Sequence, residues 1–565
     1  MTKKDHDLAL SRRSVLKLMG LASAAATLPG CAKILKKNMT DNGIESISPI
    51  DRSIGNIAPK GFSGDNPDRA HGILWDKQAY LAPRGGIPPV TESTDLVIIG
   101  GGLSGLTSAY LLRQHNPIIL ERAERFGGNS KGESWEGADY SIGAAYFMEP
   151  EKGTGLDNLL KELGVYNIAR IKTEEDPIVL KGKRFYKFWE GETDPKKAFQ
   201  FEKLTEHFEN VCNSKHGLWF PSIPLENPND REKLNRLDKI TFKKHLESVV
   251  GGKLHPHIET TIEHFCWSSY GASMTEISAA AGLNFYAAEF GGQNMMITPG
   301  GNAAIAELAL KKVAAHVPRS NLRSGCIVFD VSVDDDGANI TYENAEGQLK
   351  TIRAKSVIMA CPKFVVSKIL NNMETKRVKA IAQLRYNSYL VANVLLKSGV
   401  KDDFYDLFLI GNGETNGKDI EGSAQKQKVT DVVHGTYAKP RQDLAVMTLY
   451  RALPYTGGRS FLFADGTYDK IKGEFEEQIN REILTLVGKK SEDIVDLRLA
   501  RWGHPLPVAE AGLINKGIID TIRKPFGKRV FFIEQDNWML PALETSCGEA
   551  LAFAPIVDQF LRSKT

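Results

Sequence analysis

The sequence predicts an α/β protein with a parallel sheet opening at 95–120, joined to a part built on an antiparallel sheet. Three observations carry that reading. An apolar run at 95–99 opens directly into a glycine-rich turn and a helix. Two further groups of short apolar runs and helices lie at 298–362 and 529–550. Between them, 385–500 holds apolar runs such as Tyr389 to Leu396 and Phe461 to Phe463, which suit antiparallel strands.

Length and composition set the bounds. A chain of 565 residues has room for three to four domains of about 150 residues each. With 42% apolar, 25% charged and 8% aromatic residues it is neither collagen-like, disulfide-dense nor wholly disordered. The formal charge is +3. The first thirty residues alone supply that excess, with Lys3, Lys4, Arg12, Arg13 and Lys17 against Asp5 and Asp7. The body is balanced and gives no argument for a nucleic-acid partner.

The N-terminus reads as an address. Residues 11–17 are S-R-R-S-V-L-K, followed by an apolar run from Leu18 to Leu28 and then Pro29-Gly30-Cys31. A basic stretch, a short apolar stretch and small residues make a signal peptide, and the run falls short of the ~20 residues a spanning helix needs. The paired arginines resemble a twin-arginine export signal, with Val15 where that family usually has Phe. Leu28-Pro29-Gly30-Cys31 resembles a lipobox, with Pro29 a less usual member, and implies a lipid on Cys31. The resemblance implies a partner in the twin-arginine machinery and a lipid-anchored protein in the periplasm or on the outer surface. An ordinary amphipathic N-terminal helix is the alternative.

The remaining cysteines, Cys212, Cys266, Cys326, Cys361 and Cys547, form no CxxC pair, which suggests neither a disulfide framework nor structural zinc. His255, His257 and His264 have no metal-ligand spacing, so no metal is assigned. Residues 32–94 read as a linker, rich in Gly, Pro, Asp and Asn from Asp51 to Pro89, that docks through Ile73-Leu74-Trp75.

The first parallel strand is Asp95 to Ile99. Gly100-Gly101-Gly102-Leu103-Ser104-Gly105 follows, then a helix from Leu106 to Gln114, a second strand Ile118-Ile119-Leu120, and Glu121. Gly100 permits the tight turn, Gly102 lets a pyrophosphate approach the backbone, and Gly105 lets helix and strand pack closely. The helix N-terminus offers free N–H groups to phosphates, and Glu121 can accept both ribose hydroxyls. Strand, glycines, helix, strand and acid in register make a Rossmann-type dinucleotide fingerprint.

The continuation names the dinucleotide. Residues 121–128 read E-R-A-E-R-F-G-G and 137–147 read G-A-D-Y-S-I-G-A-A-Y-F. This resembles the flavin-containing amine oxidase superfamily, with its protoporphyrinogen oxidase-like and phytoene desaturase-like enzymes. The resemblance implies bound FAD lined by Ser104, Glu121, Arg125, Gly128, Gly143, Ala144 and Ala145. Asn129 stands where the family usually has Arg, so one cofactor contact is missing or replaced. Arg125 is either a cofactor contact or a surface charge.

The later segments follow the family order. T-P-G-G at 298–301 precedes a helix with Ile305, Leu308, Ala309 and Val313 on one face. Three strands follow, Cys326 to Val333, Ala338 to Tyr342 and Lys355 to Met359, ending at Ala360-Cys361-Pro362. By the resemblance Val328 touches the adenine. Near the C-terminus a strand Arg529 to Ile533 precedes Glu534-Gln535-Asp536-Asn537-Trp538 and a helix opening at Glu544 to Ala550. Family members have Gly where Glu534 or Gln535 stands. The implied contacts are Asp536, Trp538, Glu544 and Gly548, and the final helix N-terminus would face the pyrimidine end of the flavin.

The whole is therefore expected as a Rossmann-type FAD-binding domain from segments 95–149, 291–362 and 501–565. Its α+β substrate domain comes from 150–290 and 363–500, behind the signal at 1–31. Tyr270, Phe285 and Tyr286 are candidates for a substrate pocket or for helix core. R-L-A-R-W-G-H-P-L-P at 498–507 offers Trp502 as a wall and His504 as acid or base; a core Trp and a loop His are the alternatives. Many amine oxidases of the superfamily place a Lys, through a water, against the flavin. The matching stretch Ser388 to Leu396 holds none, with Leu390, Ala392 and Val394 on one face and Tyr389, Val391, Asn393 and Leu395 on the other. The family's cysteine context for covalent attachment is absent too. The expectation is an exported oxidoreductase with non-covalent FAD that transfers a hydride equivalent from a small molecule and is not a standard primary amine oxidase. A desaturase or isomerase of an apolar substrate, and a non-catalytic flavin-binding lipoprotein, are the alternatives.

Overall fold

The computed structural model describes residues 53–56, 61–211, 223–225, 228–290, 294–401, 403–413 and 420–563. The expected signal and lipobox, with Arg12, Arg13 and Cys31, lie outside these residues, as does Cys212.

The parallel sheet is built from the three predicted stretches. Val90–Ile99 pairs in parallel with Ile118–Leu120 on one side and with Leu349–Met359 on the other. Leu322–Arg323 extends the first edge and Val530–Phe532 the second. The central strand ends Leu96, Val97, Ile98 and Ile99 are buried on both faces, as a sheet covered on both sides requires. Helices Leu103–Leu111, Asn302–Ala314 and Leu543–Arg562 cover one face through Leu106, Ile305, Ala309, Ala550 and Val557. The other face carries the meander of Ile327–Val333, Ala338–Glu343 and the first half of Leu349–Met359. That last strand begins six residues before the expected Lys355. Its outer half alternates polar and apolar residues, so it lacks the continuous apolar run of a doubly covered strand.

The second sheet has eight strands. In spatial order they are Lys183–Phe185, Ile178–Leu180, Asp406–Leu409, Asp431–His434, Ala445–Leu453, Tyr386–Leu396, Ile494–Pro507 and Ser63–Gly64. Its centre is antiparallel: Tyr386–Leu396 lies between Ala445–Leu453 and Ile494–Pro507. Phe461 to Phe463, expected as strand, instead ends the helical segment Tyr455–Leu462 that packs over this sheet. A three-residue apolar run does not distinguish the two. Helices Ala198–Val211, Phe242–Val250, Pro256–Tyr270 and Ala279–Phe290 form a separate core with Phe201, Phe208, Phe242 and Phe265.

The expected linker 32–94 needs correction from residue 53 onward. Ile54–Asn56 pairs in parallel with Gly132–Trp135, Ser63–Gly64 joins the large sheet, and helices Asp68–Leu74 and Lys77–Leu81 lie against the body. The first strand starts at Val90, five residues before Asp95. Ile73 is buried but Trp75 is 71% exposed. The segment's Gly and Pro mark turns between short elements and not a free tether.

Candidate functional site

One cavity of about 440 Å³ runs from the glycine turn to the large sheet. Its glycine end is shaped by three residues with different duties. Gly100 has φ +113°, and a Cβ there would collide with the Ala360 carbonyl. A Cβ on Gly105 would collide with the Gly100 carbonyl, so this glycine serves helix–strand packing and does not line the cavity. Gly102 has an ordinary φ of −77°, and its added Cβ would meet nothing closer than the Gly128 Cα at 3.5 Å. Neither conformation nor protein packing requires glycine there. The space its missing side chain leaves belongs to the cavity, which is what a closely approaching pyrophosphate needs.

Three helices begin at this cavity with no side-chain cap: Leu103–Leu111, Asn302–Ala314 and Leu543–Arg562. In the Asn302–Ala314 helix the first N–H groups bond protein, Asn302 to the Ala144 carbonyl at 3.0 Å and Ala304 to the Gly301 carbonyl at 3.1 Å; the helix dipoles favour a negative ligand. Glu121 is buried on the wall, accepting from the Gly101 N–H at 2.7 Å and the Ala123 N–H at 2.8 Å. These bonds fix its carboxylate at the end of the second strand. The residues fit a flavin dinucleotide: Gly100, Gly102, Ser104, Glu121, Gly128, Gly143, Ala144, Ala145 and Val328 all line the cavity.

Four expected contacts lie elsewhere, Gly105 among them. Arg125 donates to the Gly132 carbonyl at 2.9 Å and the Ser53 carbonyl at 3.3 Å, tying the Ile54–Asn56 strand to the body. Trp538 donates its indole N–H to Glu549 at 2.9 Å and is buried. Gly548 faces Pro224, whose Cγ a Cβ would meet at 3.0 Å. The Leu543–Arg562 helix starts earlier than the resemblance placed it, so Ala542, Leu543, Glu544 and Ser546 reach the cavity. Glu544 accepts from the Met148 N–H at 2.8 Å, and burial raises its pKa.

The departure at Glu534 has a partner. Glu534 is ion-paired to Lys363, which is fully buried and also donates to Asn537 Oδ1 at 2.6 Å. Asp536 accepts from the Lys363 N–H at 2.9 Å and the Tyr386 hydroxyl at 2.5 Å. Glu534, Gln535 and Asp536 all line the cavity. A glutamate in place of glycine is thus tolerated because a buried lysine two residues after Cys361 neutralises it. Burial pulls that lysine down to about 8.

At the other end the wall is Ser268, Phe285, Tyr389, Val391, Asp406, Phe408, Asp431, Val433 and Tyr450. Tyr389 and Val391 come from one face of the central strand, while Leu390, Ala392 and Val394 pack on the helical side. No Lys on this strand reaches the cavity. The Tyr450 hydroxyl donates to the Gly143 carbonyl at 2.8 Å, locking the large sheet to the Gly143–Ala145 turn. Asp431 pairs across the sheet with Tyr450 and accepts from Thr430 at 2.7 Å; burial raises its carboxyl to about 7. Of the aromatic candidates, Phe285 lines the cavity, whereas Tyr270 and Tyr286 belong to the helical core.

Trp502 lines the cavity, its indole donating to the Ile142 carbonyl at 2.7 Å. His504 also lines it, 4.5 Å from the Phe364 ring, within the strand Ile494–Pro507 and not in a loop. Burial pushes it down to about 4, which favours the neutral imidazole near pH 7. Cys326 and Cys361 line the cavity with thiols raised by burial to about 11 and about 12. Cys547 is packed against Thr107, its thiol also raised to about 12. These thiols are protonated and poor nucleophiles.

Sequence reasoning missed Asp65, His71, Arg122, Lys131, Phe364, Asp406 and Asp431 on the wall. Asp65 and His71 fell in the supposed linker, and the two aspartates sit on short strands with no motif around them.

Comparison with known proteins gives a consistent picture. A family model described as flavin containing amine oxidoreductase matches residues 103–486. The chain is 23% identical to the oxidoreductase PigB of Serratia sp. (strain ATCC 39006) over 505 residues, 80% of this chain and 72% of that protein. It is 24% identical to chloroplastic protoporphyrinogen oxidase 1 of Arabidopsis thaliana, over 77% of this chain and 81% of the relative. The fold superimposes on wild-type putrescine oxidase bound to putrescine with TM-score 0.61 and 16% identity, covering 83% of this chain and all of the other.

Proposed function

This chain belongs to the flavin-containing amine oxidoreductases and is an FAD-dependent oxidoreductase, and from that premise we propose that it is an exported, lipid-anchored enzyme oxidising a small organic substrate that is not a simple primary amine. The observation that carries the reading is the single cavity joining the Gly102 cradle to the Tyr389–Val391 face of the large sheet. FAD, when bound, supplies two-electron acceptance. Gly100, Gly102, Ser104, Glu121, Gly128 and Val328 would hold it, with Gly143 to Ala145 and the start of the Leu543–Arg562 helix closing the other side.

The protein's own contribution is placement and proton handling. Tyr389, Phe285, Phe408 and Tyr450 offer aromatic surface beside which a substrate can lie. Burial raises the Asp431 carboxyl, which makes it a better base for a proton from a substrate N–H or O–H. Two buried carboxyls, Asp406 and Asp431, suit a donor-bearing substrate better than the wholly apolar one of a desaturase or isomerase. The Tyr386–Leu396 strand, matched to the one from which many amine oxidases supply a water-positioning lysine, holds no Lys and turns Tyr389 and Val391 to the cavity.

The test is hydrogen peroxide release over mono-, di- and polyamines, with anaerobic mixing to follow bleaching of the flavin. Slow or absent turnover is expected, and rapid reduction by any simple primary amine overturns the substrate reading. For export, replacing Arg12 and Arg13 by Lys should leave a flavin-loaded precursor in the cytoplasm, and Cys31→Ser should free the mature protein from the membrane. Normal delivery of the first variant, or continued anchoring of the second, defeats the corresponding part.

A further inference from the structure

We propose that Lys131 is the cation that holds the cofactor's pyrophosphate in this chain, replacing the arginine missing at position 129; the inference rests on the FAD assignment. Three neighbouring basic or amide groups, Arg125, Arg122 and Asn129, are committed to the protein. Arg125 is turned to the Ser53 and Gly132 carbonyls. Arg122 is ion-paired to Asp65 at 2.5 Å. Asn129 donates to the Pro505 carbonyl at 3.2 Å.

Lys131 is different. It forms part of the cavity wall, is 7% exposed, and no hydrogen bond or ion pair ties its ammonium to another described residue. Its stem runs beside Gly127, whose added Cβ would meet the lysine Cγ at 3.3 Å. Gly127 and Gly128 form the wall that faces Gly102, the residue left bare for a pyrophosphate. Burial pulls the lysine down to about 8, and Glu121 is the carboxylate that most opposes this. That carboxylate already accepts two backbone N–H groups. Among the described residues the buried ammonium has no hydrogen-bonded anion, only the charges of Glu121 and Asp65 nearby, and a diphosphate entering the cradle brings an anion for it to contact directly. Lysine serves phosphate as a point charge and needs no fixed fork geometry, so reaching in from two residues beyond the arginine position is sufficient.

The experiment compares wild type with Lys131→Met and Lys131→Arg, each freed of flavin and titrated with FAD, ADP and adenosine by calorimetry. Lys131→Met should weaken FAD and ADP by roughly 10- to 100-fold, as expected for losing a hydrogen bond to a charged group. Adenosine should bind within about twofold of wild type, because it carries no phosphate. Lys131→Arg should restore most of the affinity. The flavin-free Lys131→Met protein should melt at or above wild type, with a smaller upward shift on adding FAD. Wild-type affinity of Lys131→Met for FAD and ADP overturns the proposal, as does an equal loss for adenosine. If the wild type takes up no FAD while remaining folded, the cofactor assignment itself falls.

Discussion

Substituting Gly102 separates fold from cofactor binding, because the three motif glycines do different work. In Gly102→Ala the backbone keeps φ −77°, a value any residue adopts, and the new methyl sits 3.5 Å from the Gly128 Cα, ordinary contact distance. Replacing glycine at such a site narrows the unfolded ensemble and stabilises by about 0.4–1 kcal/mol. Flavin-free Gly102→Ala should therefore unfold in urea at the same or slightly higher concentration than wild type. The same methyl projects into the space left for the pyrophosphate, and Gly102→Val adds two more carbons. FAD affinity should fall by at least about 100-fold in Gly102→Val, a loss near 2.7 kcal/mol, and the purified protein should be colourless. Gly105→Ala provides the contrast, since its Cβ collides with the Gly100 carbonyl and the loss there is one of folding. Circular dichroism with urea reads the fold, and flavin fluorescence quenching reads the binding. A yellow Gly102→Val with wild-type affinity refutes the cradle, and a destabilised Gly102→Ala refutes the argument that packing leaves this position free.

Lys363→Met should cost about 3–5 kcal/mol in urea unfolding, because Glu534 is left buried without its ion-pair partner and Asp536, which keeps the backbone N–H bond, loses the nearby positive charge; a change under about 1 kcal/mol, far below that range, would mean the network is solvated. Buried His264 is pushed down to about 4 from 6.5 by burial, with its Nδ1 2.7 Å from the Leu409 carbonyl. Its contribution is present above the unfolded pKa of about 6.5 and is lost as pH falls toward 4, up to roughly 3 kcal/mol. Asp431, raised by burial to about 7, works in the opposite direction over the same range. The comparison is therefore made against His264→Gln: the stability gap between the two proteins should shrink from pH 7.5 to pH 4, and a constant gap would contradict the assignment.

The dinucleotide half was legible because its signals are local. An apolar strand, glycines at set offsets, a helix and a terminal acid lie within a few dozen residues, and the glycines answer to separate needs of the motif: a tight turn at Gly100, ligand approach at Gly102 and helix–strand packing at Gly105. The alternation of the Tyr386–Leu396 strand likewise separates Tyr389 and Val391 from Leu390, Ala392 and Val394, because side chains in a strand alternate between faces. The absence of a lysine on the cavity face is thus a statement about sequence.

Contacts between distant segments were not legible. Arg125 and Lys131 are six residues apart and both basic, yet the first is drawn to the backbone carbonyls of Ser53 and Gly132 while the second is left on the cavity wall. Nothing local distinguishes them, because the choice depends on the Ile54–Asn56 strand laid alongside Gly132–Trp135. Glu534 looked like a damaged motif until Lys363, 171 positions away, proved to be its partner. Asp406 and Asp431 come together only through the pairing of their two strands. The sequence by itself determined the cofactor cradle and which residues share a strand face, since those follow from backbone sterics and side-chain period, while the fold turned the Tyr389–Val391 face to the cavity. Only the tertiary structure decided which charges are spent on the protein and which are left for a ligand, because a buried charge is assigned by whatever partner the fold brings within reach.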